Sequence, residues 1–192
     1  MRTILAFDTA TSVTSCALIL DGALVAERAT DARSLLAATD DLLAEAGLTA
    51  ADLDGLVVGT GPGSFTSIRM GLATARGLGF ALALPVAGVS TLLGFAGGEP
   101  VIDAKRGEVF ATGPVVARPE ELDVTGRRLV GDGAVRYRTV FEAAGAEIPP
   151  DDDPAHRPHA HLLVSHAGTF GPAQAVEPTY LRQPDATPKA NP

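Results

Sequence analysis

The sequence predicts an α/β protein in which an antiparallel meander of three strands runs into alternating strands and helices. Three observations carry this. Apolar runs at Thr3–Phe7, Ser15–Leu20 and Ala23–Arg28 follow one another closely, the last two joined by Asp21-Gly22, a hairpin signal. Helical spacing then appears twice, at Leu35, Leu36, Thr39, Leu42, Leu43 and Ala46, and at Ile68, Leu72, Ala75, Leu78 and Leu82. Gly55–Gly59, between those helices, is continuously apolar, as a strand covered on both faces is, and Pro85–Val89 supplies a fifth strand.

The remaining elements follow in order. The first helix spans about Ser34–Ala46, with Asp40, Asp41 and Glu45 opposite the apolar side and Gly47 as its stop. Thr49-Ala50-Ala51-Asp52 has the spacing of a capping box and opens a short turn. The stretch Gly61-Pro62-Gly63-Ser64-Phe65-Thr66 leads into the second helix, about Ile68–Leu82, and Ser90 can cap a brief helix through Phe95. This is the order of a ribonuclease-H-like layer, with an antiparallel half-sheet joined to parallel strands. The second half reads as an abridged repeat. It has a strand at Pro100–Asp103, a turn at Lys105–Glu108 and a returning strand at Val109–Thr112. A strand at Arg127–Asp132, a helix at Ala134–Ala144 and a polar loop at Asp151–Pro158 complete it. The expected division is a first lobe over 1–98, a shortened second lobe over 99–182, and a flexible tail over 183–192.

Of 192 residues, 46% are hydrophobic and 20% charged, which excludes general disorder. The net charge is −8, from 15 Lys and Arg against 23 Asp and Glu, with no Trp and 5% aromatics. Such a chain lacks both the cationic surface and the stacking platforms needed to hold nucleic acid unaided. Any nucleic acid in its biology is therefore expected to be held by a partner. The single cysteine, Cys16, excludes an intramolecular disulfide and reads as a small buried thiol. The apolar run before Asp8 is too short for a secretory signal, and no run approaches the roughly 20 residues that span a bilayer. A cytoplasmic location is expected.

The loop from Gly59 to Ser64 lies between a buried strand and a helix, where backbone N–H groups can receive an anion. No Lys-Ser/Thr pair follows the glycines, so it is not a Walker loop, and its spacing fits neither a dinucleotide fingerprint nor a nucleophile elbow. The other reading is a glycine turn that lets a helix pack tightly on a sheet. Asp8-Thr9-Ala10-Thr11 likewise has two readings, a hydrated-magnesium and phosphate turn or a turn whose side chains satisfy its own amides. His156, His159, His161 and His166 fall together near Asp151–Asp153, but Pro158 interrupts helical register, so the expectation is a solvated loop and no metal site. No catalytic set emerges by spacing.

Ile4 to Thr11 and Gly61 to Leu78 closely resemble the bacterial TsaB (YeaZ) family, as do Pro85–Leu92, Asp103–Phe110 and Pro178–Arg182. The five motifs fall in family order across nearly the whole chain. The resemblance implies an actin/Hsp70/sugar-kinase-like two-lobed fold with mixed sheets. It implies a role in making N6-threonylcarbamoyladenosine beside the tRNA anticodon. In that pathway the paralogue TsaD carries the metal and the transferase site, and the ATPase TsaE completes the complex. The TsaB member is then a non-catalytic dimerisation subunit with no cofactor of its own, meeting tRNA only through the complex. Self-pairing in the absence of TsaD stays open. The H-x-x-x-H metal pair of TsaD has no counterpart here, which disfavours a metallopeptidase.

The resemblance also implies a partner surface on the two first-lobe helices, made of Leu35, Leu36, Thr39, Leu42, Leu43 and Ala46 with Arg69, Met70, Ala73, Thr74 and Gly77. On that reading Leu43→Asp weakens the TsaD pair and leaves the monomer folded. Asp8, Thr9, Thr11, Gly61, Gly63 and Ser64 become a vestigial nucleotide cleft kept as scaffold. Two departures stand out: Ala32-Arg33-Ser34-Leu35 lacks the histidine usual in the family, and Ser67 replaces a glycine. The alternative is a small ATP-dependent phosphotransferase or nucleotide-binding protein using Asp8 and the glycine loop, which needs a second carboxylate that spacing does not reveal.

Overall fold

The computed structural model describes residues 2–182, so the tail expected at 183–192 lies outside the described residues. Strands β1 (Thr3–Asp8), β2 (Thr14–Leu20) and β3 (Ala23–Thr30) form the antiparallel meander, with β1 and β2 in register from Thr3 opposite Leu20 to Asp8 opposite Ser15. Strands β4 (Gly55–Gly59) and β5 (Val86–Val89) add in parallel, giving the order β3-β2-β1-β4-β5.

Strands β1 and β4 are apolar at nearly every position because both faces of the sheet are covered. Helices α1 (Leu35–Glu45) and α2 (Phe65–Ala81) pack over Leu5, Phe7, Cys16, Leu18, Leu56 and Val58. The alternate side chains, among them Ile4, Ala6, Ala17, Ile19 and Val57, pack against Ala160 and Leu163 of a short helix far along the chain. Helix α2 begins one turn before the apolar periodicity, because Ser64 accepts the Ser67 N–H as an N-cap. The Thr49 cap is as expected, with its N–H donating to Asp52 Oδ2 at 2.8 Å.

The second sheet repeats the first. Strands β6 (Glu99–Lys105), β7 (Glu108–Ala111), β8 (Val115–Ala117) and β9 (Leu129–Val130) take the order β8-β7-β6-β9, matching β3-β2-β1-β4. The repeat is abridged: between β8 and β9 stands only a 3-10 turn at Pro119–Glu121 where the first lobe has α1. Three local expectations are corrected. The strand expected over Arg127–Asp132 contracts to β9, because Gly131 (φ 107°) turns the chain and Asp132 opens a helix. The helix expected over Ala134–Ala144 is two, α3 (Asp132–Arg136) and α4 (Arg138–Ala143), broken where Tyr137 leaves helical geometry. Beyond the polar loop, α5 (Ala160–Ser165) forms where no helix was read.

By packing, α5 belongs to the first sheet although it follows the second in sequence. Val86 and Gly171 then exchange two backbone bonds, and Ala173 joins the core beneath α2. The stretch expected in the second lobe thus supplies the second cover of the first. Among the described residues, no helix is long and apolar enough to cross a membrane.

Candidate functional site

The two sheets leave a cleft of about 880 Å³ between them. Its walls are the β1–β2 loop (Ala10 to Ser12), the start of α2 (Gly63 to Ser67, with Arg69), the β6–β7 turn (Ile102 to Arg106), Phe110, Asp132 and the segment Thr179 to Arg182. This volume lies within the range of small-molecule sites, roughly 300–1,000 Å³.

The residues expected to form the vestigial nucleotide site come together, but as a closed turn. Asp8 is fully buried; its Oδ1 accepts the Ala10 N–H at 2.7 Å and its Oδ2 accepts the Thr91 hydroxyl at 2.7 Å. Burial raises its carboxyl above the ordinary 3.8, against those two bonds. Thr9 donates to Ser67 O and Thr11 to Val13 O. The Gly61 N–H donates to Thr91 Oγ1, and the Ser64 N–H donates to Ala10 O. A Cβ at Gly59 would lie 1.8 Å from Asp8 Oδ2, and one at Gly63 would lie 2.3 Å from Ala10 O. The glycines therefore serve the close packing of the β1–β2 loop. Asp8, Thr9 and Gly61 thus lie in a tight turn behind the cleft, while Thr11, Gly63 and Ser64 line the cleft itself.

The carboxylates that reach the cleft are in the second lobe. Asp103, near the end of β6, accepts the Lys105 N–H at 2.8 Å and the Lys105 Nζ at 2.7 Å, with Arg136 Nε at 3.6 Å. Asp132, opening α3, accepts the Asp103 N–H at 2.9 Å, and burial raises its carboxyl. The cleft therefore holds a carboxylate pair that spacing did not reveal, with exposed cations beside it, and Asp8 is not part of it. Its signal was the repeat itself, since Asp103 holds in β6 the place Asp8 holds in β1. On the opposite wall, Arg69 lies 3.9 Å over the Phe65 ring and donates to Tyr180 Oη at 2.9 Å. Carboxylates on one side and an arginine–aromatic stack on the other suit a ligand that is polar at one end and flat at the other.

The expected partner residues divide by burial. Leu35, Thr39, Leu42 and Leu43 point into the core, and Ala46 packs against it. Leu43 is 3% exposed, so the expectation that Leu43→Asp leaves the monomer folded is corrected: a carboxylate there would sit among apolar side chains. Leu36, in contrast, is 53% exposed. On α2, Met70 and Thr74 are half-buried, Ala73 and Gly77 lie on the outer side, and Phe80, unremarked in sequence, is 81% exposed one turn beyond Gly77.

The histidines are not a solvated loop. His156 accepts the Gly131 N–H on Nδ1, and only His166 is exposed. His159 and His161 meet Glu27 of β3, their Nδ1 atoms 2.8 and 3.1 Å from its Oε2. Burial raises the Glu27 carboxyl, but hydrogen bonds from His159 and His161 outweigh it and bring it down to about 2; the Glu27 bond raises His159. A contact across more than 130 residues leaves no spacing signature, so sequence reasoning missed Glu27 entirely.

Two mixed sheets of matching strand order, facing each other across a cleft, define a protein of the actin-like α/β class. A family model described as "TsaD: tRNA N6-adenosine threonylcarbamoyltransferase" matches residues 25–140. The chain is 37% identical to an uncharacterized protein of Mycobacterium tuberculosis over 99% of its own length and 96% of the relative's. It is 39% identical to the tRNA threonylcarbamoyladenosine biosynthesis protein TsaB of Escherichia coli, over 56% of this chain and 52% of that one. The solved structure of YeaZ from Pseudomonas aeruginosa superposes with a TM-score of 0.78 at 29% identity, covering 94% of this chain and all of that one. The chain belongs to the TsaD family and is a TsaB-like member of it.

Proposed function

We propose that this chain is a non-catalytic subunit of the machinery that makes threonylcarbamoyladenosine in tRNA, acting in the cytoplasm by pairing with the catalytic TsaD paralogue. TsaE completes the assembly, and tRNA is met only through it. One observation carries the reading: on the outer side of α1 and α2, among charged residues such as Asp40, Asp41 and Arg76, two large apolar side chains stand in solvent, Phe80 81% and Leu36 53% exposed, beside Ala73 and Gly77. Helices bearing small residues on their outer side allow close approach of a partner helix. The buried Asp8, with both carboxylate oxygens engaged inside the fold, supports a silent first lobe. The same outer face can serve self-pairing when TsaD is absent.

The test is reconstitution with TsaD and TsaE, scoring modified tRNA with and without this chain. Modification should fall to background without it, and Phe80→Glu should weaken the TsaD pair at least tenfold while leaving the monomer's unfolding curve unchanged. Equal modification in its absence would overturn the proposal.

The cleft favours a second reading, nucleotide binding or phosphotransfer, because it gathers Asp103, Asp132 and Lys105. ATP turnover by the isolated chain separates the two: a scaffold shows none, and a phosphotransferase loses it in Asp103→Asn.

A further inference from the structure

We propose that Glu27, His159 and His161 form a site for a divalent transition-metal ion that fastens α5 to β3. Their donor atoms, Glu27 Oε2 and the two Nδ1 nitrogens, all lie within 4.8 Å of one another. Ligand atoms around a four-coordinate zinc stand roughly 3.3 Å apart, given bonds of about 2.0–2.1 Å. The two Glu27–histidine separations, 2.8 and 3.1 Å, are a few tenths of an ångström short of this, and the two histidine donors, within 4.8 Å of each other, complete a triangle that small side-chain rotations bring to it.

The surroundings orient these donors as metal ligands are oriented. His159 has an acceptor at each ring nitrogen, Pro154 O 3.2 Å from Nε2 and Glu27 Oε2 2.8 Å from Nδ1. A neutral imidazole has one N–H for these two acceptors, and the lone pair left facing the other is relieved by a second ring proton or, on the Glu27 side, by a metal ion. The other carboxylate oxygen is already held: Glu27 Oε1 accepts the Ser15 hydroxyl at 3.0 Å and the His161 N–H at 3.1 Å. Ser15 Oγ in turn accepts the Ala160 N–H at 3.0 Å. Oε2 is left as the single oxygen aimed at both rings.

Two imidazoles and one carboxylate are the donor set of zinc and its neighbours rather than of magnesium or calcium, which take oxygen. The His161 side chain is 31% exposed, so water can complete the coordination. The contact joins the first lobe's edge strand to the helix that covers its second face, which makes the ion a structural clasp. The site is independent of the partner surface on α1 and α2, which lies on the other face of the sheet.

The experiment uses the untagged full chain, stripped with chelator and titrated with Co²⁺, then with Zn²⁺ as competitor. One equivalent of Co²⁺ should bind with the visible absorption of a four-coordinate ion, and Zn²⁺ should displace it. Zn²⁺ at a hundredfold excess over Kd should raise Tm by about 5 °C. His161→Ala and Glu27→Gln, each first shown folded by circular dichroism, should bind at least tenfold more weakly and lose the Tm gain. His166→Ala should match the parent. Should Glu27→Gln fail to fold, His161→Ala decides alone, because that ring is partly exposed. Absence of one-equivalent binding below a Kd on the order of 100 μM would sink the proposal, as would undiminished binding in His161→Ala or weakened binding in His166→Ala.

Discussion

Asp8 and Asp103 occupy corresponding places in two sheets of the same strand order, and the chain uses them in opposite ways. Each lies toward the hairpin end of a central strand, between an antiparallel neighbour and a parallel one. At Asp8 the following loop folds back over the glycine turn, and Thr91 closes the remaining side, so both carboxylate oxygens are spent inside the fold. At Asp103 the hairpin turn is short, and the carboxylate meets Lys105 and Arg136, whose side chains are 71% and 59% exposed. One aspartate is a structural knot and the other is part of a cleft wall. A repeated fold therefore does not imply a repeated site: both carboxylates are buried, but the loops around each strand end decide whether the partners are groups of the interior or exposed cations at a cleft.

The largest expected effect tests this contrast directly. Asp8→Ala would leave the buried Ala10 N–H and the Thr91 hydroxyl without their acceptor, at about 1–3 kcal/mol for each unsatisfied group, and should cost about 3 kcal/mol in all. Asp103→Ala removes an ion pair with exposed cations and one turn hydrogen bond, and should cost about 1 kcal/mol. Urea unfolding of both variants reads the difference, and equal losses would break the comparison.

Next comes the glycine turn. Gly63→Ala places a Cβ 2.3 Å from Ala10 O and 2.8 Å from Ala10 C, both backbone atoms that can move only with the β1–β2 loop. The shift strains the Ser64 N–H to Ala10 O bond of 2.8 Å, and a loss of about 2 kcal/mol is expected. An unchanged unfolding midpoint would show that the first-lobe loop is looser than Asp8 implies.

How much of this was legible in sequence follows from the range of the interactions. The meander, α1, α2 and the covered strand β4 could be read because local periodicity and a two-residue turn specify them. The repeat could be read from its opening around Asp103, but β8 has three residues and β9 two, too few to show a period. Helix α5 was missed because its six residues follow a proline-bearing stretch and gain their order from Ser15, Glu27 and the sheet. At the site, sequence placed Asp8 and the glycines together correctly. It could not tell that Thr91, 83 residues on, closes the turn, nor that Leu43 faces inward while Leu36 faces out. Helical spacing names an apolar stripe without saying which edge of it meets the sheet.

The smallest effect concerns charge at the closed turn. Burial raises the Asp8 carboxyl above 3.8, so the native state holds that proton more tightly than the unfolded chain does. The stability linked to it is fully present below pH 3.8 and is lost as pH rises through the folded value. Asparagine keeps the acceptor for Ala10 N–H, can turn an N–H toward Thr91 Oγ1, and does not titrate. The deficit of Asp8→Asn relative to the parent should therefore be greatest in acid and shrink toward neutral pH, whereas Asp8→Ala, which keeps neither bond, should remain the less stable of the two variants throughout. Paired unfolding curves at a series of pH values measure both trends. A deficit that grows toward neutral pH would mean that the bonds from Ala10 and Thr91 outweigh burial, and that the first-lobe turn favours the charged carboxylate after all.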